Sequence, residues 1–327
     1  MSSISLSEIS QPIREEFENF NARFKQAMKS NVALVDLIAR YIIRQKGKKI
    51  RPILVLLSAK VSGRIDERTY RGAVLVEFLH TATLIHDDVV DNAEKRRGLW
   101  SVNAVFKNKA AVLMGDYLLS RGLMLAVEGK DYDFLGVITN TVKRMAEGEL
   151  LQIQKTRKLD IDEQTYFQII KDKTASLLET CCQIGALSNS SNNSEYVEAM
   201  RQYGEALGIA FQIKDDTLDF DSSFKLFGKK IGTDIKEKKI TLPLIYALNK
   251  VSKEEAKLIL HYIKNGNNKE NVLKVIDFVK ANDGLTYALD TASDYANKAR
   301  SALQIFSPSS SRLSLEALVD FVINRKN

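Results

Sequence analysis

The sequence predicts an all-α protein, a bundle of long helices around a central cavity, and three observations predict it. No proline occurs between Pro52 and Pro243. Proline costs about 3 kcal/mol in a helix interior, so a stretch of that length without it suits a succession of helices. Apolar positions recur at steps of three and four, as Val74, Phe78, Thr81 and Ile85 do, which is the stripe of a helix. No segment shows Val/Ile/Thr alternation closed by Asn-Gly or Asp-Gly turns, the pattern of a hairpin.

In chain order, the stripes place helices over 13–28, 32–44, 70–90, 111–127, 134–154, 164–186, 195–219, 242–249, 254–265, 269–281, 284–305 and 313–325. Another helix starts beside the basic run Arg44–Arg51, which ends at Pro52. Polar loops separate the helices at Ser188–Ser194 and Ser307–Ser314, and a Gly/Lys-rich loop covers Lys225–Lys239. None is long enough to serve as a linker between domains. The sequence is therefore read as one domain over 1–327.

With 45% apolar and 27% charged residues among 327, the chain has ordinary globular composition rather than that of a disordered one. No run approaches the ~20 consecutive apolar residues of a membrane span, and the first twenty residues lack a basic-then-apolar leader. The expectation is a cytoplasmic protein with no integral membrane segment. Cys181 and Cys182 are the only cysteines, which excludes a disulfide framework and a Cys-rich zinc site. They lie in an apolar helix and are expected in the core, as are Met114, Met124 and Met145. The net charge of +7 favours anionic partners without choosing among them.

One pattern recurs. Asp87-Asp88-Val89-Val90-Asp91 and Asp215-Asp216-Thr217-Leu218-Asp219 both read D-D-x-x-D, each near the C-terminal end of an apolar helical stripe. Positions i and i+4 share a helix face, so Asp87 stands over Asp91 and Asp215 over Asp219. Carboxylates gathered beside a core cannot all ionise without a compensating cation. Hard oxygen ligands suit Mg²⁺, which is usually shared with substrate phosphates. One copy alone reads as a solvated acidic helix end, but two copies at such positions do not. Cations accompany them: Lys48, Lys49 and Arg51 beside a helix start, Arg96-Arg97 after the first motif, Lys173, Lys229 and Lys239. Arginine grips phosphate as a fork and lysine as a point charge. Carboxylates for metal with cations for phosphate describe a diphosphate site.

From about Gly47 to Pro243 the chain resembles the trans-type isoprenyl diphosphate synthases. The resemblance rests on GKKIRP (47–52), EFLHTATLIHDDVVDNAEKRRG (77–98), AVLMGDYLL (111–119), GELLQ (148–152), Lys173-Thr174, FQIKDDTLD (211–219), GKKIGTD (228–234) and KITLP (239–243), in the family's order and spacing. It departs from the family where Lys46-Gly47-Lys48 and Glu237-Lys238-Lys239 replace Gly-Gly-Lys and Glu-Gly-Lys.

The resemblance implies two Asp motifs facing each other across a cavity and holding three Mg²⁺ on an allylic diphosphate. Asp87, Asp88, Asp91, Asp215, Asp216 and Asp219 become the ligands, with Asp234 as an outer acid. Arg96, Lys173, Lys229 and Lys239 are implied at the allylic diphosphate, farnesyl or geranylgeranyl. Gly47, Lys48, Arg51, His80 and Arg97 are implied at isopentenyl diphosphate. Thr174 and Gln212 lie near the reacting carbon. His86 orients carboxylates or packs, His261 is a surface residue, and Trp100 packs behind the phosphate loop. A homodimer through the 111–127 region is implied.

The hydrocarbon tail is expected to run beside the first Asp helix, whose rise places a residue five positions earlier about 7–8 Å deeper. Ala82 and Thr83 are small there, where family members with short products carry aromatics. A longer product than farnesyl follows, octaprenyl for a quinone side chain being favoured and geranylgeranyl the alternative. Phe78, Leu79, Met145, Val142 and Thr141 are candidate floors. A terpene cyclase lacks the second D-D-x-x-D and an isopentenyl site. A non-catalytic partner subunit of a heteromeric synthase would have lost aspartates. A nucleic-acid binder would segregate its basic residues into a stripe.

Overall fold

A computed structural model describes residues 4–45, 47–96, 98–189, 193–220, 232–265 and 268–324. Arg97 and Lys229, both expected in the site, lie outside the described residues.

Sixteen α-helices are described. The N-terminal half comprises α1 (Leu6–Ile9), α2 (Arg14–Ala27), α3 (Ala33–Arg44), α4 (Ile50–Ser62), α5 (Glu67–Val90), α6 (Val102–Glu128) and α7 (Tyr132–Lys158). Then come α8 (Glu163–Ile170), α9 (Ser176–Leu187), α10 (Ser194–Leu218), α11 (Thr233–Lys236), α12 (Leu242–Asn249), α13 (Lys253–Lys264), α14 (Lys269–Ala281), α15 (Gly284–Ala302) and α16 (Ser310–Asn324). The all-α expectation holds.

Helix α5 starts at a capping box in which the Asp66 carboxylate accepts from the Arg68 and Thr69 amides and the Thr69 hydroxyl accepts from the Asp66 amide, satisfying donors that a helix start leaves orphaned. From there it runs buried on nearly all sides, packed along α6 and between α4 and α9. A helix apolar all round belongs inside a protein, and α5 carries its first aspartates out of that interior at its last turn.

The core has two parts. One gathers residues of α1 to α7, α9, the first half of α10, α16 and the last turns of α15. The other gathers α8, the second half of α10 and α11 to α15. Helix α10 crosses from one to the other, with Leu207 in the first and Ile209 and Ile213 in the second. The second Asp motif therefore emerges on the side of the second core, between Ile213 and Phe220.

Three local departures from expectation bear on the site. The predicted helix over 164–186 is broken by a π-helical turn, Lys171–Ala175. One extra residue turns the apolar stripe by about 100°, but a stripe read at steps of three and four does not reveal a single such turn. A hairpin of two-residue strands, β1 (Lys95–Arg96) and β2 (Leu99–Trp100), follows α5; strands that short carry no alternation to read. Trp100 is 54% exposed rather than packed: its carbonyl accepts from Tyr41 and Gln45 while Lys95 lies over its ring. Met124 is likewise 49% exposed, whereas Met114, Cys181 and Cys182 are buried.

Helix α6 is 27 residues long, and its most apolar stretch has a mean hydropathy of 1.4, enough by length and composition to cross a membrane. It lies along α5, leaving Val105, Val112, Leu113, Met124 and Val127 exposed.

Candidate active site

The two Asp motifs are electrostatic neighbours. Asp91 is among the carboxylates that favour the charged Lys239, which lies beyond the second motif. Lys173, on the π turn, acts likewise on Asp87. Lys173 and Lys239 both line a cavity of roughly 220 Å³ with Asp215, Asp216, Asp234, Thr174, Gln212 and Tyr166. Lys173, Thr174, Gln212 and Lys239 are thus gathered with the second motif, within electrostatic reach of the first.

The six aspartates are not equivalent. Asp88 is 2% exposed and turned away from Asp87, where the Arg96 guanidinium grips both its oxygens at 2.7 and 2.8 Å. Arg96 was expected at the allylic diphosphate; the hairpin folds it back instead onto this buried acid. Asp216 is buried too, accepting from the Tyr166 hydroxyl and the Gln212 amide, each at 2.7 Å. Asp219 accepts from the backbone amides of Thr233 and Asp234 at 2.9 and 3.0 Å, tying α11 to the end of α10. Asp87, Asp91 and Asp215 are less enclosed by protein.

Burial, and then the charges of Glu149 and Asp91, raise the Asp87 carboxyl above the usual carboxylate range, against Lys173. Burial and then Asp234 push Asp216 up to about 8, although its two hydrogen bonds act the other way. Burial and then Asp219 push Asp234 up to about 6, with Lys239 opposing. Burial would lower Lys239, but Glu237, 2.5 Å away, and Asp234 hold it above its ordinary value. This is a site with too much negative charge for its cations.

Among the described residues no three acidic, His or Cys side chains form a ready cage for a metal. The donors stand instead on two helix ends with a gap between them. Hard carboxylate oxygens in partial sets suit a Mg²⁺-like ion that keeps water or takes phosphate oxygens for its other positions.

A smaller pocket, about 60 Å³, opens on the other side of α5 and is lined by Gly47, Lys49, Glu77, His80, Asp88 and Arg96 among others. Arg51 donates to His80 Nε2 at 2.9 Å. Guanidinium can only donate, so a neutral His80 carries its proton on Nδ1. Gly47, Arg51 and His80 are thereby brought together. Lys48 is exposed, 5.7 Å from the Phe321 ring centre, while Lys49 in a left-handed conformation turns inward, its Nζ on Asn21 Oδ1 at 2.5 Å. Sequence reasoning missed Glu77, whose spacing three before His80 was the available signal, and also Tyr166, and it named Lys49 only among the cations beside the helix start. His86 reaches the Val112 carbonyl and Asp116 on α6, not the motif carboxylates, and a side chain at Gly115 would strike its ring. His261 is exposed as expected.

Of the chain-length candidates, Thr83 stands one turn below Asp87 on the same face and is partly exposed. Ala82 and Leu79 are buried. Phe78 is nine residues before Asp87, two and a half turns, so it projects from the opposite side. Its ring packs 5.3 Å from that of Phe24 on α2, which makes it core rather than a floor below Asp87. Thr141 is bonded to Thr180 at 2.5 Å, and Val142 and Met145 are partly buried against the first core.

An acidic helix end lining a cavity with Lys173 and Lys239, and a second acidic end within electrostatic reach of both, suit a prenyltransferase of the trans-prenyl diphosphate synthase type, and comparison with known proteins shows that class. The family model described as polyprenyl synthetase matches residues 32–279. The octaprenyl diphosphate synthase of Escherichia coli (strain K12) is 34% identical over 98% of this chain and 99% of its own. A Caulobacter crescentus polyprenyl synthase, crystallised with calcium and isoprenyl diphosphate, superposes with a TM-score of 0.90 at 33% identity over the whole of both chains. A geranylgeranyl pyrophosphate synthase from Bacteroides thetaiotaomicron does so at 0.82 and 37% identity, over 98% of this chain and 99% of that one. The chain belongs to the polyprenyl synthetase family.

Proposed function

We propose that this protein is an all-trans polyprenyl diphosphate synthase that adds isopentenyl diphosphate repeatedly to an allylic diphosphate, farnesyl or geranylgeranyl, and makes a long product of the octaprenyl class. The observation that carries the reading is the cavity that Asp215, Lys173 and Lys239 line together, with the first motif near enough for Asp87 to feel the charge of Lys173 and Asp91 to act on Lys239. Asp87 and Asp91 on one wall and Asp215 on the other would hold Mg²⁺, three ions by family analogy. Asp88, Asp216 and Asp219 act from behind as charge and geometry setters. When bound, the metal supplies Lewis-acid stabilisation of the diphosphate leaving group.

The chain's own residues do the rest. Lys173 and Lys239 neutralise charge growing on the departing diphosphate, and fixed cations in a partly dry site do this more effectively than water. Thr174 donates to the Gln212 carbonyl oxygen at 2.9 Å, placing two polar oxygens where an allylic cation forms. Gly47, Arg51, His80 and Lys49 bind isopentenyl diphosphate in the second pocket, with Lys48 at its outer edge. The alkene attacks C1 of the allylic cation, and the released diphosphate takes the proton lost from the adduct, so no histidine base is required.

Ala82 and Thr83 leave the way down α5 without an aromatic stop, which supports a long product. The 37% identity to a geranylgeranyl synthase supports the second reading, a C20 product. The exposed apolar residues of α6 support a homodimer through that helix. The passage of α10 through both cores supports a single domain over 1–327, and a cytoplasmic location fits the two unpaired cysteines.

The test is product length. The purified protein is incubated with labelled isopentenyl diphosphate, farnesyl diphosphate and Mg²⁺, and the dephosphorylated products are resolved by reversed-phase chromatography. A ladder ending at C35–C45 is expected. A stop at C20 selects the second reading, and no elongation rejects both for the isolated chain.

A further inference from the structure

The break in the helix before α9 is built rather than accidental. In a regular helix adjacent side chains diverge by about 100°, yet Lys173 and Thr174 both line the same cavity. Lys173 reaches Glu149 at 2.5 Å and Gln152 at 3.0 Å on α7, and Thr174 reaches Gln212 on α10. The wider π turn makes this possible, and such turns are rare and concentrate at functional sites.

Its backbone is held from two sides. A Cβ on Gly148 of α7 would stand 3.0 Å from the Lys173 nitrogen, and one on Gly208 of α10 would stand 2.5 Å from the Ala175 Cα. The Gly208 approach leaves no room for a side chain, and one at Gly148 would force its neighbours to give by a few tenths of an ångström. The Ser176 hydroxyl donates to the Asp172 carbonyl at 2.5 Å, engaging one backbone group that the wider turn displaces.

Behind the turn, facing away from the cavity, Arg144 of α7 spans its two ends. Its Nε bonds Asp172 within the turn and its Nη1 bonds Glu179 on α9, both at 2.8 Å. Asp172 also accepts from Gln168 of α8, and Glu179 accepts from Arg201 of α10 at 2.9 Å. All three members of the Arg144 cluster are largely enclosed. A planar fork anchored to two carboxylates, one within a helix defect and one beyond it, sets the rotation of the turn against the helix that follows.

We propose that Arg144 is a positioning residue for prenyl transfer: by clamping Asp172 and Glu179 it holds the π turn, against Gly148, in the register that presents Lys173 and Thr174 together to the allylic diphosphate. The inference rests on the functional reading above.

The experiment compares Arg144→Gln, Arg144→Lys and Gly148→Ala with the wild-type full chain, measuring thermal stability, kcat, and KM for isopentenyl diphosphate. Lysine keeps the charge but cannot anchor both carboxylates as a fork. The expected result for Arg144→Lys is stability near wild type with kcat reduced at least tenfold and KM for isopentenyl diphosphate within twofold. Gly148→Ala is expected to lower kcat to a similar degree. Arg144→Gln, if folded, is expected to match the kcat loss; if it does not fold, the other two variants decide. A lysine variant that restores kcat along with stability would show mere charge balance and overturn the proposal, as would wild-type kcat in Gly148→Ala. Prenyl transfer by the wild type in the same assay tests the underlying reading separately.

Discussion

The ends of α5 and α10 spell the same D-D-x-x-D, and the protein treats them differently. At the end of α5 the buried middle acid, Asp88, is matched by a full positive charge from Arg96 at 2.7 Å. At the end of α10 the corresponding acid, Asp216, meets only neutral donors, Tyr166 and Gln212, with Asp234 and Asp215 nearby. Burial and neighbouring acids make the Asp216 carboxylate hold its proton although its neutral donors oppose them. The first motif is charge-balanced at its back by the fold. The second waits for cations from outside. Identical patterns therefore need not be interchangeable parts of one site.

The largest effect that would sharpen this contrast is on turnover. Asp215→Asn is expected to lower kcat by about 10²–10³-fold, the usual range for losing one preorganised group that stabilises transition-state charge, measured as the initial rate of labelled isopentenyl incorporation. An equal loss with unchanged Mg²⁺ dependence would contradict a metal role for this carboxylate.

The next effect separates the two ends by stability. Arg96→Gln strands the Asp88 carboxylate, and breaking a buried pair costs about 3–5 kcal/mol; the low end applies because Arg96 is partly solvent-reached. Denaturant unfolding of Arg96→Gln, Asp88→Asn and the double variant would measure the coupling. If the double variant is no more stable than Arg96→Gln, the charge pair is not what balances the first motif.

The smallest effect concerns pH in the metal-free protein. Asp216 is held up to about 8 in the fold against an ordinary carboxylate value when unfolded. The folded state thus binds a proton that the unfolded state has lost, so stability from this group is fully present below the ordinary carboxylate range and declines as pH rises through about 8. Asp216→Asn should melt above wild type at pH 8, with the gap closing on acidification toward pH 4. A gap that is the same at every pH would show that the protonation state of Asp216 does not carry the difference.

Much of the site was legible because its chemistry sits in contiguous residues. Asp87 and Asp91, or Asp215 and Asp219, share a helix face by spacing alone, and the apolar stripes ahead of them mark where the helices leave the core. Lys173, Thr174 and Gln212 were legible only through the family resemblance, since a lone lysine in a helix carries no signal of its own. Arg96 was misplaced because its direction depends on a hairpin too short to show a pattern. Phe78 was misplaced because counting residues gives depth along a helix without regard to which side faces the cavity. Lys49 replaced Lys48 at the pocket because its left-handed conformation turns the chain, and neither lysine announces that in sequence.

What the sequence determined by itself was the all-α architecture, the two acidic helix ends and the cationic company they keep. Periodicity and spacing within a helix are local properties that survive without knowledge of neighbours. Tertiary structure alone decided which aspartate meets a cation, which meets a hydroxyl, and that a π turn brings Lys173 and Thr174 to one wall. Those outcomes depend on desolvation and on partners supplied by other helices. Burial strengthens each charge by removing water, and only the packed fold says which groups remain to answer it.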